Sequence, residues 1–89
     1  MKTQAITITN KLGLHARAAA KLVTLSNTFQ ADIRLRRDQK VIDTKNIMSV
    51  LLLAASQGTE LEVTADGQDE EEAVKAIVDL INQRFGEPE

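Results

Sequence analysis

Within residues 59–65 the chain alternates from Glu60 onward: Leu61, Val63 and Ala65 are apolar, while Glu60, Glu62 and Thr64 are polar. A strand has this pattern when one face is buried and the other meets water. Such strands belong to an antiparallel sheet, because parallel sheets are covered on both faces and read as continuous apolar runs. Two other stretches repeat the pattern. Ile6 and Ile8 alternate with Thr7 and Thr9 in residues 3–9, and Ile33 and Leu35 alternate with Asp32, Arg34 and Arg36 in residues 32–36. Residues 37–40 are all polar and read as a hairpin turn. Val41 and Ile42 then make a short returning strand that ends at Asp43 and Thr44. The consecutive charges Arg36, Arg37 and Asp38 are most simply a solvated hairpin tip.

One face of this sheet needs a cover, and three stretches have the spacing of helices. In residues 16–27, with Phe29 just beyond, Leu22, Leu25 and Phe29 share a face with Ala18 or Ala19, and Arg17, Lys21, Thr24 and Thr28 lie opposite. In residues 69–85, Val74, Ile77, Ile81 and Phe85 fall near one face. Asp69, Glu70, Glu71 and Glu72 in its first turn and Arg84 in its last complement the helix dipole. Consecutive helical residues point in different directions, so the acidic run is not a metal site. Gly86 is expected to stop this helix and Pro88 to prevent its resumption. Residues 47–55 are apolar almost all round: Ile47, Val50, Leu51 and Ala54 form one stripe, and Met48, Leu52 and Ala55 a neighbouring one. A fully buried strand would also fit, but Asn46 as N-cap and Gly58 as a stop favour a helix. Its surplus apolar surface is either core or a docking patch. The resulting order is β-α-β-β-α-β-α, an α+β domain with helices on one face of an antiparallel sheet. A ferredoxin-like module shares the first six of these elements.

Eighty-nine residues make one domain, residues 1–89, able to bury about 60–65% of its unfolded surface. With no cysteine and a single histidine, disulfides, thiolate sites and multi-histidine metal sites are excluded. A net charge of −2, with both signs mixed through the chain, argues against nucleic acid as the main partner. Residues 1–9 do not resemble a signal peptide, and no apolar run nears the roughly 18–20 residues of a membrane span. A soluble, cytoplasmic protein is expected.

That one histidine, His15, sits where an alternating segment ends and a helical one begins, just after Gly13. A residue at a helix start lies beside unpaired backbone N–H groups that attract anions. Arg17, two residues on, carries a planar fork of donors suited to phosphate oxygens. A neutral imidazole is nucleophilic near pH 7, and phosphoryl transfer asks of a protein mainly positioning and charge stabilisation. A plain capping histidine is the bland alternative.

The segment Asn10-x-x-Gly13-Leu14-His15-Ala16-Arg17 resembles the active-site signature of the histidine-containing phosphocarrier (HPr) family of the bacterial phosphotransferase system, and the similarity extends through the chain. The resemblance implies an open-faced β-sandwich, four strands covered by three helices. It implies that His15 accepts a phosphoryl group on Nδ1 from enzyme I and passes it to an IIA-type protein, with Arg17 stabilising the phosphate. Ala16, Ala20 and Thr24 with Ile47, Met48, Leu51 and Leu52 would then form the partner surface, so docking is the expected role of residues 47–55. No cofactor or metal is implied, since Mg²⁺ and phosphoenolpyruvate act at enzyme I. The protein would be a monomeric carrier and not an enzyme in its own right.

Two departures stand out. Ala18 replaces a proline common in the family, and Asn46 replaces a serine that a regulatory kinase phosphorylates in some members, which argues against that control here. Asn46 and residues 10–13 are similar to the nitrogen-related branch (NPr). Sugar uptake and nitrogen-related regulation are both compatible with these residues. A non-catalytic ferredoxin-like module, binding a small ligand or another protein, is the alternative. A phosphatase-like enzyme is weaker, for it needs a general acid and no carboxylate lies near His15 in sequence.

Overall fold

Each alternating stretch forms a strand in the computed structural model, which describes residues 1–89. β1 (Lys2–Thr7), β2 (Asp32–Arg37), β3 (Lys40–Asp43) and β4 (Glu60–Asp66) make one antiparallel sheet in the order β1-β4-β2-β3. Register places Ile6 opposite Leu61, Leu35 opposite Val63, and Ile33 opposite Ala65, so all six share the buried face. The outer face carries Thr3 beside Thr64 and Arg36 paired with Glu62 at 2.9 Å. Helices α1 (Ala16–Ser26), α2 (Ile47–Leu52) and α3 (Glu70–Asn82) supply the cover, and α3 packs on β1, β4 and β2. The expected α+β architecture and element order are thus observed.

Within α1, Ala18, Ala19 and Leu22 are buried, Leu25 and the following Phe29 are half-buried, and Arg17, Lys21, Thr24 and Thr28 are exposed, as the spacing predicts. Ala18 buries its methyl in the core.

α2 differs from expectation in length and in face. It ends at Leu52, well before Gly58, because Ala54 takes a left-handed conformation (φ 53°). The carbonyls of this last turn find donors on the β2–β3 hairpin: Arg37 Nη1 reaches the Leu53 and Ala54 oxygens at 3.1 and 2.8 Å, and Lys40 Nζ the Leu52 oxygen at 2.9 Å. Arg37 is therefore half-buried and structural, not part of a solvated tip. Val50, Leu53 and Ala55 enter the core, in place of the expected stripe of Ile47, Val50, Leu51 and Ala54. The start agrees, with Asn46 Oδ1 accepting from the Ser49 N–H at 3.1 Å.

α3 is shorter than residues 69–85. Asp69 is its N-cap position, but its carboxylate accepts from the N–H groups of Gln30 and Ala31 at 2.9 and 2.8 Å, tying the α1–β2 link to the start of α3. Glu70, Glu71 and Glu72 do occupy the first turn. After Asn82 the chain turns through a short 3₁₀ segment, Arg84–Gly86, with φ of 57°, 55° and 78°. Arg84 thus lies beyond the helix it was expected to close. Positive φ is unfavourable for a bulky side chain, and here it accompanies the complete burial of Phe85. The reversal directs residues 87–89 back over the start of α1.

Candidate functional site

The loop between β1 and α1 is held from within. Asn10 is fully buried, and its amide donates to the Gly13 carbonyl at 2.8 Å. Gly13 has φ 66°, and a Cβ there would lie 2.5 Å from the Ala55 oxygen and 2.8 Å from Ser56 Cα, so no other residue fits without backbone movement. Leu14 N–H bonds the same Ala55 oxygen at 2.8 Å and buries its side chain. These contacts fix His15 as the N-cap residue of α1, extended at φ −78° and ψ 179°. Its ring makes no capping bond. The first N–H groups of α1 are therefore without acceptors, as at any helix start.

What the ring does instead could not be read from local sequence. His15 Nε2 is hydrogen-bonded to Glu87 Oε2, across 72 positions of chain. Glu87 Oε1 accepts from Asn10 Nδ2 at 2.9 Å, so one buried amide braces both the loop and the carboxylate. The Asn10 amide above all, then the His15 ring and the nearby Lys21 ammonium, hold the Glu87 carboxyl below the usual carboxylate range. The absence of a carboxylate near His15 in sequence is thus corrected in space. The segment that brings Glu87 is tied down at several points: Phe85 in the core, Lys21 Nζ to the Phe85 oxygen at 2.6 Å, and Lys11 N–H to the Glu89 oxygen at 3.0 Å. No pattern announces it, because a single glutamate flanked by Gly86 and Pro88 has neither helical nor strand periodicity.

Lys11, Leu12, His15, Ala16, Arg17 and residues 87–89 line an open cleft of about 610 Å³. Arg17 is exposed on its wall, and Ala16, Ala20 and Thr24 continue as an exposed stripe along α1. On α2, Met48 and Leu52 are 64% and 66% exposed and Ile47 is exposed beside them, whereas Leu51 turns partly inward against the core. Leu12, exposed to 67% beside His15, is an apolar surface residue that sequence reasoning missed. An exposed leucine in a loop leaves no periodic trace.

The family model described as "PTS HPr component phosphorylation site" matches residues 2–83. The chain belongs to the HPr family of the phosphotransferase system. It is 49% identical over 85 residues to the phosphocarrier protein HPr of Pseudomonas aeruginosa, covering 94% of each chain. To the phosphocarrier protein NPr of Escherichia coli it is 41% identical over 85 residues, again 94% of each. Among solved structures, HPr-C-His from Thermoanaerobacter tengcongensis superposes with a TM-score of 0.97 at 46% identity over the whole of both chains. An HPr dimer from the same organism matches at 0.79 and 47% identity, covering 98% of this chain and all of the other. The ferredoxin-like alternative gives way to this family, and the fold is that of HPr. No helix is long and apolar enough to cross a membrane.

Proposed function

We propose that this HPr-family protein carries a phosphoryl group on His15, taking it from enzyme I and giving it to an IIA-type protein. The observation that carries the reading is the position of His15 at the open start of α1, with Arg17 on the same cleft wall. Nε2 is engaged by Glu87, and Nδ1 has no partner within the fold. In-line attack by Nδ1 forms the N–P bond as the donor's bond to phosphorus breaks. The equatorial oxygens gather charge, which the first-turn N–H groups of α1 and the Arg17 guanidinium offset.

The exposed residues Ala16, Ala20 and Thr24 of α1 and Ile47, Met48 and Leu52 of α2 form the docking face, with the outer part of Leu51 at its edge. An apolar patch beside a basic residue suits acidic partners that dock briefly and leave. The carrier needs no cofactor of its own, works in the cytoplasm and acts as a monomer. Its output is sugar uptake or nitrogen-related regulation, and the enzyme I that charges it distinguishes the two.

Intact mass after incubation with phosphoenolpyruvate, Mg²⁺ and purified enzyme I tests the proposal, with the general enzyme and its nitrogen-related counterpart used in parallel. The wild type should gain one acid-labile phosphate from one of the two. His15→Ala should fold and gain none, and Arg17→Ala should fold and be charged slowly. Equal charging of wild type and His15→Ala would overturn the reading.

A further inference from the structure

We infer that Glu87 is a positioning residue for phosphoryl transfer: its carboxylate keeps the His15 proton on Nε2, leaving the attacking lone pair on Nδ1. The inference rests on the phosphocarrier reading above and concerns a residue beyond the matched family stretch, which ends at residue 83.

A neutral imidazole has one N–H and one lone pair, on different nitrogens, and an ionised carboxylate can only accept. The ring nitrogen that faces Glu87 must therefore be the donor, which assigns the proton to Nε2. Glu87 is well placed to stay ionised and still. Its other oxygen accepts from a fully buried amide at 2.9 Å, its side chain is 14% exposed, and its segment is anchored by Phe85, Lys21 and Lys11. A carboxylate behind a reactive imidazole acts in this way in serine-protease triads, setting the tautomer and stabilising the charged ring without taking the proton.

The step balances with no further reactant. The Nδ1 lone pair forms a bond to phosphorus, and the bonding pair of the donor's bond leaves with the donor. The ring becomes cationic, with its Nε2–H directed at Glu87. Transfer onward reverses this: the acceptor attacks phosphorus, the N–P pair returns to Nδ1, and the Nε2 proton has stayed in place.

Glutamine at position 87 separates this role from simple bracing. Its amide can donate to Nε2, which would then hold the lone pair and move the proton to the nitrogen that must attack. Glu87→Gln should therefore be charged at least about tenfold more slowly than wild type, and more slowly than Glu87→Ala, because the wrong tautomer withholds the attacking lone pair. The ¹⁵N shifts of the His15 ring should report Nε2–H in the wild type and a gain of the Nδ1–H tautomer in Glu87→Gln, with amide spectra confirming that both variants fold. An unchanged tautomer, or Gln charged as fast as wild type, would overturn the inference. Failure of the wild type to be charged at all would instead remove the phosphocarrier reading, a separate result that the ring shifts do not touch.

Discussion

Asn10 is fully buried, and its amide nitrogen is engaged twice, at the Gly13 carbonyl and at Glu87. Both bonds are donated by Nδ2, while the buried Oδ1 has no partner, and together the two bonds couple loop geometry to the carboxylate behind His15. Asp69 makes a comparable link on the far side of the molecule. The N–H groups of Gln30 and Ala31, its own N–H and the charge of Lys45 together hold its carboxyl below the usual carboxylate range. The folded state therefore binds fewer protons at this site than the unfolded state does. Its contribution is complete above the ordinary carboxylate pKa of about 4 and disappears as pH falls through the lowered folded value. Asp69→Asn should lower Tm at pH 7, with a difference from wild type that shrinks under acid. Thermal melts at several pH values between 2 and 7 check this, and parallel curves for the two proteins would contradict it.

At the scale of the element, α2 reconciles burial with an exposed apolar face by being short. Six helical residues send Val50 and the following Leu53 inward and leave Ile47, Met48 and Leu52 outside. The cations Arg37 and Lys40 supply the C-terminal donors that a longer helix would have found in itself. Met48→Asp and Leu52→Asp should change stability by no more than about 0.5 kcal/mol, since both side chains are mostly in water. If they form the docking face, each should raise the KM for charging by enzyme I about tenfold. Kinetics with varied carrier concentration would detect this, and unchanged KM values for both would remove α2 from the interface.

For the whole molecule, one core joins the sheet, the three helices and the segment that follows them. Phe85 closes it, fully buried despite a positive φ. Phe85→Ala should cost about 3–5 kcal/mol, a large share of the stability usual for a domain of this size, seen as a fall in the urea midpoint. A loss below about 1 kcal/mol would mean that Phe85 does not anchor the segment. The element order, the sheet's buried face, the outer stripe of α1 and the place of His15 and Arg17 were all legible in the chain, because periods of two and 3.6 and turn residues are local signals. The inward face of α2 was not, since an all-apolar helix gives no stripe to choose and only packing against neighbours selects one. Nor were the partners of Arg37 and Asp69, whose charges looked like solvent or dipole features until the fold brought carbonyls and N–H groups to them. The sequence by itself determined where the one histidine stands, just after Gly13 at a helix start, with Arg17 two residues on. The tertiary structure alone decided what stands behind it: Glu87 meets His15 because a buried Phe85 and a run of left-handed residues turn the chain back, and contacts between distant residues carry no periodicity.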